Sequence, residues 1–507
     1  MMRLDIIACL LCLCILQVYA RNPGFKARIT NKGLKYANDV AIQALKANVQ
    51  KLKIPNQSGK ASGFKYDITN INVQQFNPPT STLGIVPGDG LSWKGSNAAI
   101  KVHGDFHYKK WFISDGGSFD ASVSGVSFSL GVDIGNDVNG RPTIAARSCS
   151  SNVADVSFKF HGGMAWLYNL FRSKVEGVIK DTLKKQMCTL INKEINEDGE
   201  KKLAKLKVTT PLGKKFLLDY RLTQKPSFQT QYMETFHKGE IFWLSSPTTE
   251  SPLIPPPMPT NTDTDSMLYL WVSDYMFDTI GYTAQKHGFL VYNMTQKDLP
   301  PSGRGVLNTT CDGFIPKCIG KLIPQIGEKF PNSVVELRMN STQTPTMNVS
   351  SAGVSLNFAG KIDLYATKPG TSSTPFLLSL NAIMFTTVNV SIQNELLYAR
   401  INDLKLKLKV GKSAVGKVSD VFLDFLIKQA LNAYLIPQLN DLGKKGFPLP
   451  VTGEIKFTNT KISFAKDTVL ISTDLSYTPS SQDPSDDLSG PLKFKPSNRV
   501  HTSINIL

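Results

Sequence analysis

Beyond residue 20 the chain has no apolar run long enough to cross a bilayer and no greasy C-terminal tail. Neither a membrane-spanning helix nor a lipid-anchor signal is therefore expected. Catalytic signatures are missing too. There is no G-x-S-x-G elbow, no H-E-x-x-H, no Walker loop and no G-x-G-x-x-G, so the usual sequence support for hydrolase, metalloprotease and nucleotide chemistry is gone. Histidine is scarce, with six in 507 residues. His103, Asp105 and His107 alternate along one strand face, but they have no fourth ligand and read as a polar strand end. No metal, no cofactor and no enzymatic activity are expected.

Cysteine is sparse as well. Cys9, Cys12 and Cys14 fall in the first 20 residues, and Cys149, Cys188, Cys311 and Cys318 remain. An even number outside a secretory leader favours disulfides, and chain order suggests one bridge per half, Cys149–Cys188 and Cys311–Cys318. Acidic residues are thin in the first half only. Residues 21–244 hold 32 Lys/Arg against 18 Asp/Glu, a net +14, whereas residues 245–507 hold 24 against 21, a net +3. A basic first half calls for an anionic partner: an acidic membrane, a phosphorylated glycolipid or nucleic acid. The leader argues against nucleic acid.

That leader is residues 1–20, with an apolar Ile6–Leu16 and a small-residue site ending at Ala20, as in a secretory signal peptide. The expected location is extracellular, with or without earlier storage in secretory granules. Six N-x-S/T sequons, at Asn56, Asn293, Asn308, Asn340, Asn348 and Asn389, fit a secreted glycoprotein, and five of them lie in the second half.

Residues 245–265 carry six of the 29 prolines and read as a semi-rigid extended connector. On either side the same coarse order of elements recurs. Thr30 or Asn31 caps an amphipathic helix ending before Pro55, short alternating runs follow, and a long apolar-striped helix covers about Met164–Ile195. In the second half Met267–Val272 reads as a strand, Ser273 caps a helix ending at Gly288, and strands fill Phe289–Val410. There LKLKLKV (Leu404–Val410) has the two-residue alternation of a strand whose lysines face outward. A second long helix is expected over Val418–Leu439, interrupted by Pro437. Corresponding helices lie roughly 240–250 residues apart, as in a duplicated α+β module. The domains expected are 21–244 and 266–478, joined by 245–265, with 479–507 as a disordered tail.

Several stretches resemble one family. They are NPGFKARITNKGLKYA (Asn22–Ala37), KLKIP (Lys51–Pro55), GSFDASVSGVS (Gly117–Ser127), CSS (Cys149–Ser151), MAWLYNLF (Met164–Phe171), YLWVSDYMFDT (Tyr269–Thr279) and GFPLP (Gly446–Pro450). In order and across both halves, they resemble the bactericidal/permeability-increasing and lipopolysaccharide-binding protein family, related to phospholipid and cholesteryl-ester transfer proteins. The resemblance implies an α+β boomerang of two modules, each a twisted antiparallel barrel on a long helix, joined by a central sheet. It also implies an apolar pocket holding phospholipid acyl chains in each module, and a disulfide between Cys149 and Cys188. Cys311–Cys318 is an addition to that pattern.

Acyl chains are retained because each buried CH₂ is worth about 0.8 kcal/mol. Leu34, Leu45, Phe171, Val175 and Ile179 are the expected pocket lining; taken alone, such stripes mostly fill cores. The family's basic tips map to Asn56–Phe64, Asp105–Phe112 and Phe160–Gly163. There Lys60, Lys109, Lys110 and Trp111 are the expected headgroup-binding residues, with Tyr108 and Trp111 as interfacial aromatics. The first tip keeps one cation and the third has none of the lysines of the bactericidal member. The run Lys201, Lys202, Lys205 and Lys207 reads as a solvated helix end. The implied function is a secreted, monomeric, antibacterial innate-immune protein that binds lipopolysaccharide and permeabilises Gram-negative outer membranes. The alternative is a phospholipid or neutral-lipid transfer carrier without strong endotoxin selectivity.

Overall fold

The computed structural model describes residues 21–50, 54–61, 63–162, 165–247, 251–299, 301–311, 318–418, 436–449 and 454–478. The expected leader, the expected tail and residues 419–435 of the expected second long helix lie outside the described residues. The first strand, β1 (Phe25–Thr30), runs straight into α1 (Asn31–Val49). Of the two expected caps it is Thr30 that acts: its extended backbone leaves the hydroxyl free to accept from the Gly33 N–H.

Seven strands then form the sheet of the first module. They are β2 (Gln57–Ala61), β3 (Phe64–Asn77), β4 (Thr80–Val86), β5 (Gly90–Lys110), β6 (Ile113–Asn136), β7 (Pro142–Asn152) and β8 (Asp155–His161). The order is β2-β3-β5-β6-β7, with β4 beside β5 and β8 beside β6. Strands of 21 and 24 residues stay in one sheet because register shifts at Thr69/Asn72, Gly95/Ala98 and Ser129/Gly131 bend them. The long helix α2 (Ala165–Lys193) runs into a π-helical turn, Glu194–Gly199, and then α3 (Glu200–Ala204). Ile179, Leu183, Met187 and Ile191 of α2 and Leu34, Leu45 and Val49 of α1 share one buried cluster with the inward face of the sheet. Cys149 on β7 is bonded to Cys188 on α2, with Cα atoms 5.8 Å apart.

Short strands follow: β9 (Thr209–Leu212), β10 (Phe216–Asp219), β11 (Ser227–Phe228), β12 (Tyr232–His237) and β13 (Glu240–Trp243). The second half opens with β14 (Leu268–Ser273) and α4 (Asp274–Lys286), capped by the Ser273 hydroxyl as its sequence predicts. Thus β1 and β14 are antiparallel neighbours, each followed by a side-chain-capped helix. They are the middle of a six-stranded sheet, β11-β12-β1-β14-β23-β22, in which β22 (Ile455–Ala465) and β23 (Thr468–Tyr477) return from the chain's far end. Each half contributes three strands, so the two modules share this central sheet.

The second module's sheet holds β15 (Val291–Met294), β16 (Val334–Ser341), β17 (Thr346–Ser350), β18 (Gly353–Thr367), β19 (Phe376–Gln393), β20 (Leu396–Ser413) and β21 (Phe447–Pro448). The strands expected without interruption from Phe289 are broken between 296 and 329. Turns of 3-10 helix and the short helices α5 (Ile319–Leu322) and α6 (Pro324–Lys329) occupy that stretch, where Pro301 and Pro324 cannot donate to a ladder. The Cys311–Cys318 disulfide lies within it. Helix α7 (Ile436–Gly443) contains Pro437. Sequon residues Asn56, Asn293, Asn340, Asn348 and Asn389 are exposed, while Asn308 is half-buried.

The connector is more than a spacer. It lies along β1 and the residues flanking it, without regular structure: Asn22 Nδ2 donates to the Pro255 carbonyl at 3.1 Å, Arg28 to that of Asn261 at 2.5 Å and Lys32 of α1 to that of Asp265 at 2.9 Å. Beneath it Arg28 stacks 3.7 Å over Tyr232, and Lys26 sits 4.0 Å over Trp271. Glu234 pairs with both cations, at 3.1 Å and 2.8 Å. Burial, partly offset by Glu234, pulls the Lys26 ammonium below the usual lysine range.

Candidate lipid-headgroup site at the end of the first module

Two hairpins end side by side at the edge of the first module. The β5–β6 ladder closes at Lys110↔Ile113, leaving Trp111 and Phe112 as the turn. The β2–β3 ladder closes at Ala61↔Phe64. Trp111 is 83% exposed and Phe112 90% exposed. Trp111 also sits at φ 53°, a left-handed conformation that bulky residues avoid. Gly63 takes φ 82°, a conformation that favours glycine, and Lys110 Nζ of the neighbouring hairpin packs against it.

The expected cation pair is split. Successive strand residues face opposite sides, so Lys109 points out while Lys110 turns in, its Nζ 5.0 Å from the Phe64 ring centroid and 5.5 Å from that of Trp111. For the same reason Tyr108 is no interfacial aromatic. It is 1% exposed, stands edge-on to Phe64 and donates its hydroxyl proton to Asp115 at 3.1 Å.

Outward, the register lines up a row that a residue-by-residue reading misses. Lys60 faces Lys65, and Lys65 faces Lys109, across three adjacent strands. All three are exposed, and among the described residues no carboxylate forms an ion pair with any of them. Like charges directly opposite each other destabilise a sheet, so the row is not there for folding. Lys65 was legible: Ser62-Gly63 is a two-residue hairpin signal that pairs Lys60 with Lys65. Phe112, the most exposed aromatic at the tip, was missed beside Trp111.

Inward of the tip lies an aromatic cluster that the sequence also concealed. Phe106 meets Phe160 edge-on at 5.5 Å, Phe158 stacks on Phe160 at 5.6 Å, and Phe119 lies 5.9 Å from Phe158. Of the expected pocket lining, Leu34, Leu45 and Ile179 come together in the buried cluster that these rings adjoin. The side chains of Phe171 and Val175 lie outside the described residues. The third tip carries His161 and no lysine. His103 shares its strand face with Asp105 and His107 and also pairs across strands. Its Nδ1 is 2.8 Å from Asp120 Oδ1, and His161 Nε2 is 2.9 Å from Oδ2 of the same carboxylate. Hydrogen bonds from His103 and then His161 hold Asp120 below the usual carboxylate range. No cluster fit to hold a metal occurs among the described residues.

Two modules around a shared sheet, each with an apolar inner face, define a two-domain, strand-rich class of protein. Comparison with known proteins agrees. The N-terminal domain model of the LBP / BPI / CETP family matches residues 33–198 and its C-terminal domain model residues 210–477, and the chain belongs to that family. The chain is 29% identical over 463 residues to a bactericidal permeability-increasing protein of Sebastes schlegelii, covering 90% of this chain and 96% of that one. It is 30% identical over 464 residues to human lipopolysaccharide-binding protein, covering 90% and 94%. A crystal structure of lipopolysaccharide binding protein superposes with a TM-score of 0.64 at 28% identity, covering 90% of this chain and 100% of that one. Membership places the chain among lipid-binding and lipid-transfer proteins, not enzymes. No helix among the described residues is long and apolar enough to cross a membrane.

Proposed function

We propose that this protein is a secreted lipid-binding protein of innate defence that reads lipopolysaccharide on Gram-negative envelopes. Trp111 and Phe112 enter the interface between headgroups and acyl chains, while Lys60, Lys65 and Lys109 meet lipid A phosphates. Displacing the divalent ions that bridge those phosphates loosens the outer membrane and gives the antibacterial effect. Acyl chains lodge against the inner faces of the modules, in hollows lined by residues such as Leu34, Leu45, Phe171, Val175 and Ile179, with phospholipid the resting occupant. The protein acts as a monomer, and the exposed sequon asparagines carry glycans. The observation that carries this reading is two exposed aromatics beside an unpaired row of three lysines, at the end of the half whose net charge is +14.

A carrier of phospholipid or neutral lipid is the second reading, favoured by how few lysines the tips hold: the third has none. Lipopolysaccharide binding and phospholipid transfer, measured side by side for the wild type and Lys65→Ala/Lys109→Ala, separate the two. At about 1 kcal/mol per lysine near an anionic surface, the double substitution should weaken lipopolysaccharide binding about thirtyfold and leave transfer intact. Unchanged lipopolysaccharide binding would remove the tip from the mechanism.

A further inference from the structure

The outward face behind the lysine row holds three of the six histidines in the chain. Directly opposite residues share a face, and the register sets out that face row by row. Behind Lys60–Lys65–Lys109 come Ser58, Asp67 and His107, then Thr69, Asp105, Ser118 and His161, then Asn72, His103, Asp120 and Lys159. Lys101 of β5 and Asp155 of β8 complete the charged groups on this stretch of the face; Lys110 and Asp115 turn inward, and Lys94 and Asp133 lie farther along their strands. At about 3.4 Å per residue, His107 lies roughly 7 Å behind Lys109, His161 roughly 13 Å and His103 roughly 20 Å.

None of the three imidazoles is buried. His103 is 36% and His161 41% exposed, on an Asp120 that is 55% exposed, and His107 is exposed with Nε2 3.1 Å from the Ser114 hydroxyl. With the histidines neutral, five lysines (60, 65, 101, 109 and 159) stand against four aspartates (67, 105, 120 and 155), a net +1. With all three protonated the face carries +4. The His103–Asp120–His161 group by itself turns from an anion into a cation.

We infer that this face is an acid-strengthened extension of the headgroup site, on which His103, His107 and His161 become additional ligands for lipid phosphate as pH falls below neutrality. The inference rests on the tip reading above. Histidine is the one side chain whose ordinary charge change falls between about pH 5 and 8, which sets the range the experiment must span. At the third tip, which has no lysine, His161 supplies a cation conditional on acid. The ligand chemistry is an anionic phosphodiester or phosphomonoester at a lipid surface.

Binding to vesicles of phosphatidylcholine with phosphatidylglycerol tests this, because the phosphodiester keeps its charge over the range. Wild-type affinity should rise at least about fivefold between about pH 7.5 and 5.5, the factor for one cation brought to an anionic surface. His103→Asn/His107→Asn/His161→Asn should keep the neutral-pH affinity and lose the rise. An equal pH ratio in wild type and triple variant, or an equal rise on pure phosphatidylcholine, overturns the inference. Should the triple variant fail to fold, His161→Lys replaces it: its binding at about pH 7.5 must exceed wild type, and unchanged binding overturns the inference as well. Failure of the tip reading shows separately, as Lys65→Ala/Lys109→Ala binding normally at neutral pH.

Discussion

Trp111 combines two costs that folding alone does not repay. Its backbone lies in the left-handed region at φ 53°, and its ring is 83% exposed. A conformation of that kind costs an L-residue about 1–2 kcal/mol, whereas glycine adopts it freely. Trp111→Gly should therefore unfold at a slightly higher temperature, by up to about 1 kcal/mol once the greater freedom of glycine in the unfolded chain is subtracted. Penetration of anionic monolayers should drop at the same time. A variant that loses stability instead would show the indole to be structural. Neighbouring residues show what sequence could and could not say. Two-residue alternation was enough to place Tyr108 and Lys110 inward and Lys109 outward, yet KK beside Y and W invited reading them as one patch. The lysine row needed a hairpin register, and the pairing of His103 and His161 through Asp120 needed three strands in place.

Helix α4 shows the same limit for an element. Its cap and its Gly288 stop were legible, because both depend on local backbone chemistry. Its docking was not. Asp278 Oδ1 accepts from the Met347 N–H of β17 at 2.6 Å, and the Asp274 N–H donates to the Asp467 carbonyl at 3.1 Å. Burial, with Asp274 nearby, pushes the Asp278 carboxyl up to about 7; burial, with Asp467 nearby, pushes that of Asp274 up to about 6. An unfolded chain releases these protons near pH 4, while the folded chain keeps them to higher pH. Between those limits the unfolded state binds fewer protons, so this contribution to stability falls as pH rises from about 4 to about 7 and is flat above. Asp278→Asn keeps the acceptor for Met347 and removes the ionisation. It should raise stability at neutral pH by on the order of 2 kcal/mol, after discounting for partial solvent access, and by nothing near pH 4. Urea unfolding at both pH values measures this, and an equal effect at both would assign the change to packing. The connector's docking was hidden for a related reason: its prolines announce an extended chain, but its hold on the start of the chain comes from its own carbonyls, which every sequence has.

Across the whole molecule, charge and apolar burial are separated in space, which makes them separable by salt. The first half carries +14 and the second +3, and the lysine row lies on exposed strands at one end. The inner faces of the modules are apolar and packed around α1, α2 and the central sheet. At about 0.15 M salt, screening already acts over roughly 8 Å, and at 1 M over roughly 3 Å. Exposed ammonium–phosphate contacts must weaken steeply across that range, while chains held by the hydrophobic effect gain nothing from low salt and lose nothing at high salt. The protein loaded with a fluorescent phospholipid and bound to anionic vesicles should therefore leave them as salt rises toward about 1 M and carry its lipid with it. Release of protein and label together, followed by flotation, is the outcome that two separate modes of lipid contact require. Protein that stays on the vesicles at high salt would move the membrane contact from the lysine row to apolar insertion by Trp111 and Phe112. Protein that leaves without its label would empty the proposed hollows of their role.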